Sequence, residues 1–362
     1  MAPQNNPLSY LDIINLCGNA RVGVAPPIPS EFDSEPLVPF HLSPAPGSPV
    51  IGLLRPRIIE VLRAENVRNE GKLIWAGLDG SDVTQARKIS FDASLDTHTK
   101  RTAAMKEMCE RWRDTGIFPD IIGPTKWRAE MYPVYRDAFG VHDYPGGDAA
   151  EESTLNFAFQ MERAAAALFG VITYGVHMST YQEITDPLSG ERTLRLWVPT
   201  RAKNKSMWPG YLDNTVAGGI PAGMPIFEAL VKECMEEASL PEELVRKHVR
   251  AVGCVSYFHR TSKGWLQPEV EYIYDMPIPP TADPTPFEPK PLDGEVERFD
   301  FLDKTQVEVE MRSARFKPNC AVVLIDLFIR LGYITPDNEP DFLKIVTALH
   351  TRFDYEHWAG GA

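Results

Sequence analysis

Apolar positions along this chain recur at two spacings, and these divide it into elements. Leu8, Leu11, Ile13, Ile14 and Leu16 fall at helical spacing and predict one short helix within residues 1–25. Prolines then crowd residues 26–49: Pro26, Pro27, Pro29, Pro36, Pro39, Pro44, Pro46 and Pro49. A ring that fixes φ and lacks an N–H donor predicts an irregular connector there. Helical spacing returns from Val50 to Asn66, through Ile58, Ile59, Val61 and Leu62. Lys72–Gly77 and Ile89–Phe91 read as short strands, and Thr97–Thr115 as a charged helix.

A break rich in Gly, Asp and Glu runs from Val141 to Ser153. It predicts a boundary between residues 1–145, a smaller α+β domain of unassigned role, and residues 146–362. Beyond it an Ala-rich stretch, Met161–Leu168, leads into the apolar run Phe169–Met178. With Leu194–Pro199 that run predicts a hairpin turning at Asp186–Gly190. A helix is expected at Ile226–Ala238, and strands at Ala251–Phe258, Val270–Met276 and Glu295–Leu302. A proline-rich loop, Pro277–Pro291, precedes the last strand. Helices at Ala321–Leu331 and Asp341–Phe353 end the pattern, which contains no internal repeat.

The 362 residues, at about 100–200 per domain, allow two domains. Apolar content of 43% and charged content of 24% are ordinary for a globular protein. The formal net charge of −13 argues against a nucleic-acid partner, because such binding rests on neutralising phosphates with Lys and Arg. It leaves room for a local basic patch that meets a small anion. Cys17, Cys109, Cys234, Cys254 and Cys320 are scattered and odd in number, which fits neither a disulfide framework nor a zinc site and points to a reducing compartment. Met1–Gly18 lacks a basic start followed by an apolar run, and no stretch of about 20 apolar residues occurs. A soluble, cytoplasmic protein with no membrane partner is expected, as a monomer or a homodimer.

The chemistry concentrates in Ala217-Gly-Gly-Ile-Pro-Ala-Gly223 and the helix that follows it. At roughly 100° per residue, Glu236 and Glu237 lie about −60° and +40° from Glu233, so three carboxylates share one arc. Phe227, Leu230, Val231, Cys234, Met235 and Ala238 fill an adjoining arc that can be buried. Like charges three and four apart destabilise a helix, and only Lys232 offsets them, through Glu236. A hard divalent cation would relieve the repulsion, since Mg²⁺ takes carboxylate oxygens, water and substrate phosphates together. The preceding glycines permit close backbone approach, and the helix N-terminus favours a phosphate. Three acids on a helix are more often a plain solvated face; the glycine segment at this offset tips the reading towards metal binding.

This segment resembles the Nudix hydrolase box, G-x5-E-x7-R-E-U-x-E-E-x-G-U, with U aliphatic. Placed without gaps, Gly218 takes the first glycine, Glu233 the glutamate after the arginine, Glu236-Glu237 the acidic pair and Leu240 the last aliphatic position. Four positions depart: Met224 replaces the first glutamate, Lys232 the arginine, Cys234 the aliphatic residue and Ser239 the second glycine. Trp208–Gly219, Lys232–Ser239 and Asp293–Glu297 are similar to a eukaryotic branch related to the Nudix portion of fungal thiamine pyrophosphokinase-like proteins, which carries an additional N-terminal domain. The likeness runs from about residue 150 to 350, with an echo at Tyr132-Pro-Val-Tyr135.

The resemblance implies an α/β/α sandwich around a mixed sheet, and a Mg²⁺-dependent diphosphate hydrolase, with Mn²⁺ an alternative ion. Glu233, Glu236 and Glu237 would ligate the metal, with a backbone carbonyl at Ala217 or Gly218. A further acid, Glu295 first or Glu297 second, would be a ligand or the base. Arg201, Lys203 and Lys205 would hold the substrate's terminal phosphate, near Gly218 and Gly219; three bases in a loop are otherwise simply solvated. Trp208 and Tyr211 would stack on a flat ring or merely pack. Tyr257, Phe258 and His259 would line the cleft, and His177 reads as a satisfied core histidine. The implied substrate is thiamine diphosphate or damaged forms of it. A prenyl or other biosynthetic diphosphate, and a non-catalytic diphosphate-binding role, stay open. Isopentenyl-diphosphate isomerases share the fold but need cysteine where this chain has Ala217. P-loop, G-x-S-x-G and H-E-x-x-H signatures are absent.

Overall fold

A computed structural model of the chain describes residues 7–21, 26–69, 72–78, 88–146, 154–205, 207–353 and 355. The predicted first helix, α1 (Tyr10–Cys17), is closed by a capping box: Ser9 Oγ accepts from the Asp12 amide at 3.1 Å, and Asp12 accepts from the Ser9 amide at 2.9 Å.

The next two segments depart from the pattern. The proline-rich connector contains a strand, β1 (Val38–His41), whose four residues are all buried, Pro39 among them. It pairs antiparallel with β2 (Val50–Leu54), which stands where helical spacing was expected to resume. A short buried apolar run reads alike as strand or helix, so periodicity alone misassigns it. The helix α2 starts only at Pro56 and runs to Arg68; proline suits a first turn, where its missing N–H has no partner to lose. Two expected strands, β3 (Trp75–Ala76) and β4 (Ile89–Phe91), complete a four-stranded sheet in the order β2-β1-β4-β3. Helix α3 (His98–Thr115) is capped by Thr97 and ends at left-handed Gly116, and the short α4 (Pro119–Ile122) follows. This unit's core gathers around Phe40, Trp75, Phe91, Trp112 and Phe169.

Position 145 is bridged by a two-stranded ribbon. β5 (Met131–Tyr135) pairs antiparallel with β6 (Phe157–Glu162), while residues 147–153 of the expected break lie outside the described residues. A short turn of helix, α5 (Ala166–Phe169), joins the first core.

The remaining strands form one mixed sheet: β7 (Thr173–Thr185), β8 (Arg192–Arg201), β9 (Val216–Gly219), β10 (Arg250–Arg260), β11 (Leu266–Ile278) and β12 (Val296–Asp303). Their order is β10-β11-β7-β8-β12, with β9 also on β7; β11 and β7 run parallel and the other pairs antiparallel. The predicted hairpin is β7–β8, and Asp186 closes its turn by accepting from the Leu188 and Ser189 amides at 2.8 and 2.7 Å.

Helices cover both faces. Side chains of α6 (Ile226–Ala238) and α7 (Glu242–His248) share a core with Val176 and Met178 of β7 and Val270 and Met276 of β11. On the other face lie Leu194, Leu196 and Val198 of β8 and Ile273 of β11, against α1, α8 (Lys304–Arg312), α9 (Pro318–Arg330) and α10 (Phe342–Ala348). The chain's first helix is therefore part of the layer built by its last three. Asp275, fully buried on β11, ties that layer to the sheet by a two-point pair with Arg330 at 2.6 and 3.0 Å.

Candidate active site

The glycine segment begins as strand rather than loop. β9 lies against β7 with Gly219 opposite Gly175, Gly218 opposite Val176 and Ala217 opposite His177. Both glycines are needed for space. A Cβ on Gly218 would collide with the Glu233 carboxylate carbon, and one on Gly219 with the hydroxyl of buried Tyr132. Helix α6 spans the predicted residues and buries Ala229, Leu230, Val231, Cys234 and Ala238. Ser239, where the box has glycine, adopts the left-handed conformation (φ 52°) that ends the helix, and its hydroxyl donates to the Lys290 carbonyl at 2.9 Å.

The three glutamates do not converge. A cavity of about 910 Å³ is lined by Glu233, Glu237, Ala217, Gly218 and Gly219, whereas Glu236 is exposed and outside it. Lys232 holds Glu236 at 2.9 Å, and its ammonium also lies 3.5 Å from Glu233. Like charges separate when nothing positive sits between them, and Lys232 offers the outer one a partner. Burial raises the proton affinity of Glu233. Burial, and then the charge of Glu233, push Glu237 up to about 8, although the Ala217 amide donates to it at 3.3 Å. Among the described residues no group of three His, Cys, Asp or Glu side chains is gathered to hold a metal ion. The donor set nonetheless fits a hard divalent cation: two half-buried carboxylates with raised proton affinities face the cavity beside the main chain of Ala217 and Gly218.

The other candidates divide. Arg201 lines the cavity but is engaged: it pairs with buried Asp213 at 2.5 Å and donates to the carbonyls of Met207 and Trp208, each at 3.2 Å. It fixes a loop in which Trp208 takes a left-handed conformation (φ 51°) and meets Tyr211 edge-on at 5.0 Å. Lys205 pairs with Glu295, and both line the cavity; burial brings Lys205 down to about 8. Lys203 and Glu297 are exposed and not part of the lining, and the Lys203 amide donates to Glu297 at 3.3 Å. Tyr257 and His259 line the cavity, while Phe258 is buried in the core beside α6.

Sequence reading missed a buried polar cluster in the same cavity. Glu269 and Glu271 project from β11 on the face of Ile273 and meet Tyr257, with Thr173 3.5 Å from Glu269. The Tyr257 hydroxyl is 2.7 Å from Glu271, also touches Glu269, and accepts from Asn319 at 3.0 Å. Burial and the neighbouring Glu271 raise the proton affinity of Glu269. Against burial, His177 at 3.5 Å draws Glu271 down to about 2. His177 is satisfied, as expected, through Asn214 at 2.6 Å, yet it faces the cavity, and the Glu271 carboxylate raises its proton affinity against burial. The available signal was Glu269 and Glu271 at alternate positions of a strand, a pattern that puts both on one face.

No family model matches the chain. It is 34% identical over 265 residues to Nudix hydrolase 20, chloroplastic, of Arabidopsis thaliana, covering 73% of this chain and 62% of that protein. Nudix hydrolase 24, chloroplastic, of the same plant is 33% identical over 262 residues, 72% of this chain and 62% of that one. An uncharacterised Saccharomyces cerevisiae protein is 40% identical over 205 residues, 54% and 57% of the two lengths. The chain thus spans 57% to 62% of the length of these curated relatives. Solved structures of Nudix proteins align with TM-scores of only 0.25 to 0.33, too low to bear on function. Both plant relatives bear the name Nudix hydrolase.

Proposed function

We propose that this chain, a relative of the Nudix hydrolases, is a divalent-metal-dependent hydrolase that cleaves a small-molecule diphosphate. The carrying observation is the pair Glu233 and Glu237, half-buried in the cavity lining beside the glycine strand, with proton affinities raised by desolvation. A divalent cation held there by both carboxylates and the Ala217 carbonyl, with Glu236 joining on release from Lys232, would neutralise phosphoryl oxygens and orient a water. Gly218 and Gly219 let the diphosphate approach the main chain. Glu295, kept at the cavity by Lys205, takes the proton of the attacking water. Arg201 keeps the loop carrying Trp208 in place rather than binding phosphate itself.

For the rest of the substrate we favour a polar heterocycle, with thiamine diphosphate or its damaged forms as the first choice. A prenyl tail asks for an apolar wall. The cavity has an apolar wall as well, at Leu8, Ile13, Val171 and Phe316, but it adds aromatic rings at Trp208, Tyr211 and Tyr257 and polar groups at Glu269, Glu271 and His177 that a prenyl tail would not use. The test is phosphate release from a panel of thiamine, prenyl and nucleotide diphosphates with Mg²⁺ or Mn²⁺. Thiamine-type substrates are expected to turn over, and Glu237→Gln and Glu236→Gln to lose at least about a hundredfold in kcat. A panel without turnover, or variants matching the parent, would overturn the proposal.

A further inference from the structure

The cations expected to grip phosphate are committed elsewhere: Arg201 to Asp213, Lys205 to Glu295, and Lys203 outside the cavity. Another arginine is better placed. Arg163 follows β6 and lines the cavity with Glu233 and Glu237. Its Nη1 donates to Glu130 at 2.8 Å, and its guanidinium carbon stands 5.0 Å over the ring of Tyr132. The same ring reaches the glycine strand, since its hydroxyl fills the space a Gly219 side chain would need. Tyr132 therefore spans from the guanidinium to the backbone on which a diphosphate would rest. Among the described residues the Arg163 side chain makes no other hydrogen bond, its main-chain amide donating to the Glu130 carbonyl at 2.8 Å, which leaves Nε and Nη2 for a bidentate acceptor. Lys126 and Arg128 also line the cavity.

We propose that Arg163, posted by Glu130 and Tyr132, binds a phosphate of the substrate's diphosphate, so that β5 and β6 complete the substrate site. This deepens the diphosphatase reading and rests on it. Tyr132 is a positioning residue, and Arg163 touches substrate.

Two measurements on the full chain test it. One is calorimetric binding of methylenediphosphonate, a diphosphate that cannot be hydrolysed, with Mg²⁺. The other is steady-state kinetics on the best panel substrate. Arg163→Gln is expected to weaken binding about tenfold or more and to raise KM with kcat largely kept. Arg163→Lys keeps charge without the planar fork and should lose roughly threefold or more. Tyr132→Leu should raise KM in the same sense, and Tyr132→Phe, which keeps the ring under the guanidinium, should restore it. If the parent binds the diphosphonate and both Arg163 variants bind it equally well while folded, the Arg163 proposal is overturned alone. If the parent itself does not bind it, the diphosphatase reading falls too.

Discussion

Glu237 illustrates how one side chain can tie stability to a ligand. In the unfolded chain it loses its proton near 4.5, and in the folded chain at about 8. Between those values the folded state binds more protons, so its stability falls as pH rises through this window. Melting temperatures without metal should show that fall, and Glu237→Gln should remove it, melting above the parent at about pH 8.5 and close to it near pH 5. Added Mg²⁺ should restore the parent at alkaline pH and do little for the variant, because a cation supplies the missing charge compensation. At this scale the sequence was readable for Glu233 and Glu237, whose places on α6 follow from helical geometry. The pairing of Lys232 with Glu236 was readable too, but not that it turns Glu236 away from the cavity. Glu269 and Glu271, and the meeting of His177 with them, escaped because nothing along the chain says which strand lies beside which.

At the scale of elements, the contact between β9 and α6 predicts two unlike outcomes from like substitutions. Gly218→Ala meets the end of a flexible side chain, Glu233, which can swing aside. Stability should change by only about 1 kcal/mol while kcat falls sharply, since the displaced carboxylate is a proposed ligand. Gly219→Ala meets the hydroxyl of buried Tyr132 and should cost about 2–3 kcal/mol in urea unfolding. Arg330→Met tests the tie between α9 and β11. It leaves Asp275 with the Tyr181 hydroxyl at 3.3 Å and Arg250 at 3.8 Å, and should cost about 3 kcal/mol. The span of helix α6 was legible because its apolar arc, its glycines and its acids agree on one register, although Met235, placed in the arc that can be buried, is exposed. Strands β1 and β2 were not, because proline content and a short apolar run each pointed to something else while burial between neighbours decided the outcome.

Over the whole molecule, the mixed α/β architecture was foreseen through the family resemblance of the glycine and glutamate segment, whereas the path of the N-terminus was not. Helix α1 was predicted as an element, but its partners could not be. Ile13 and Ile14 are buried against a core that includes Ala321, Leu324 and Ile345. Ile14→Ala should cost about 2–4 kcal/mol in global unfolding, even though it lies about 300 positions from most of what it touches. Tyr10 makes the same point in one bond, its hydroxyl donating to Glu308 at 2.6 Å across 298 positions. That embrace sets an order of events during synthesis. The first helix leaves the ribosome early with an apolar stripe and nothing to lay it on, while the unit around Phe40, Trp75 and Trp112 has its own core and can settle meanwhile. The sandwich closes only when α9 and α10 emerge, and until then a nascent chain must carry that stripe uncovered, open to whichever holdase or aggregating neighbour reaches it first.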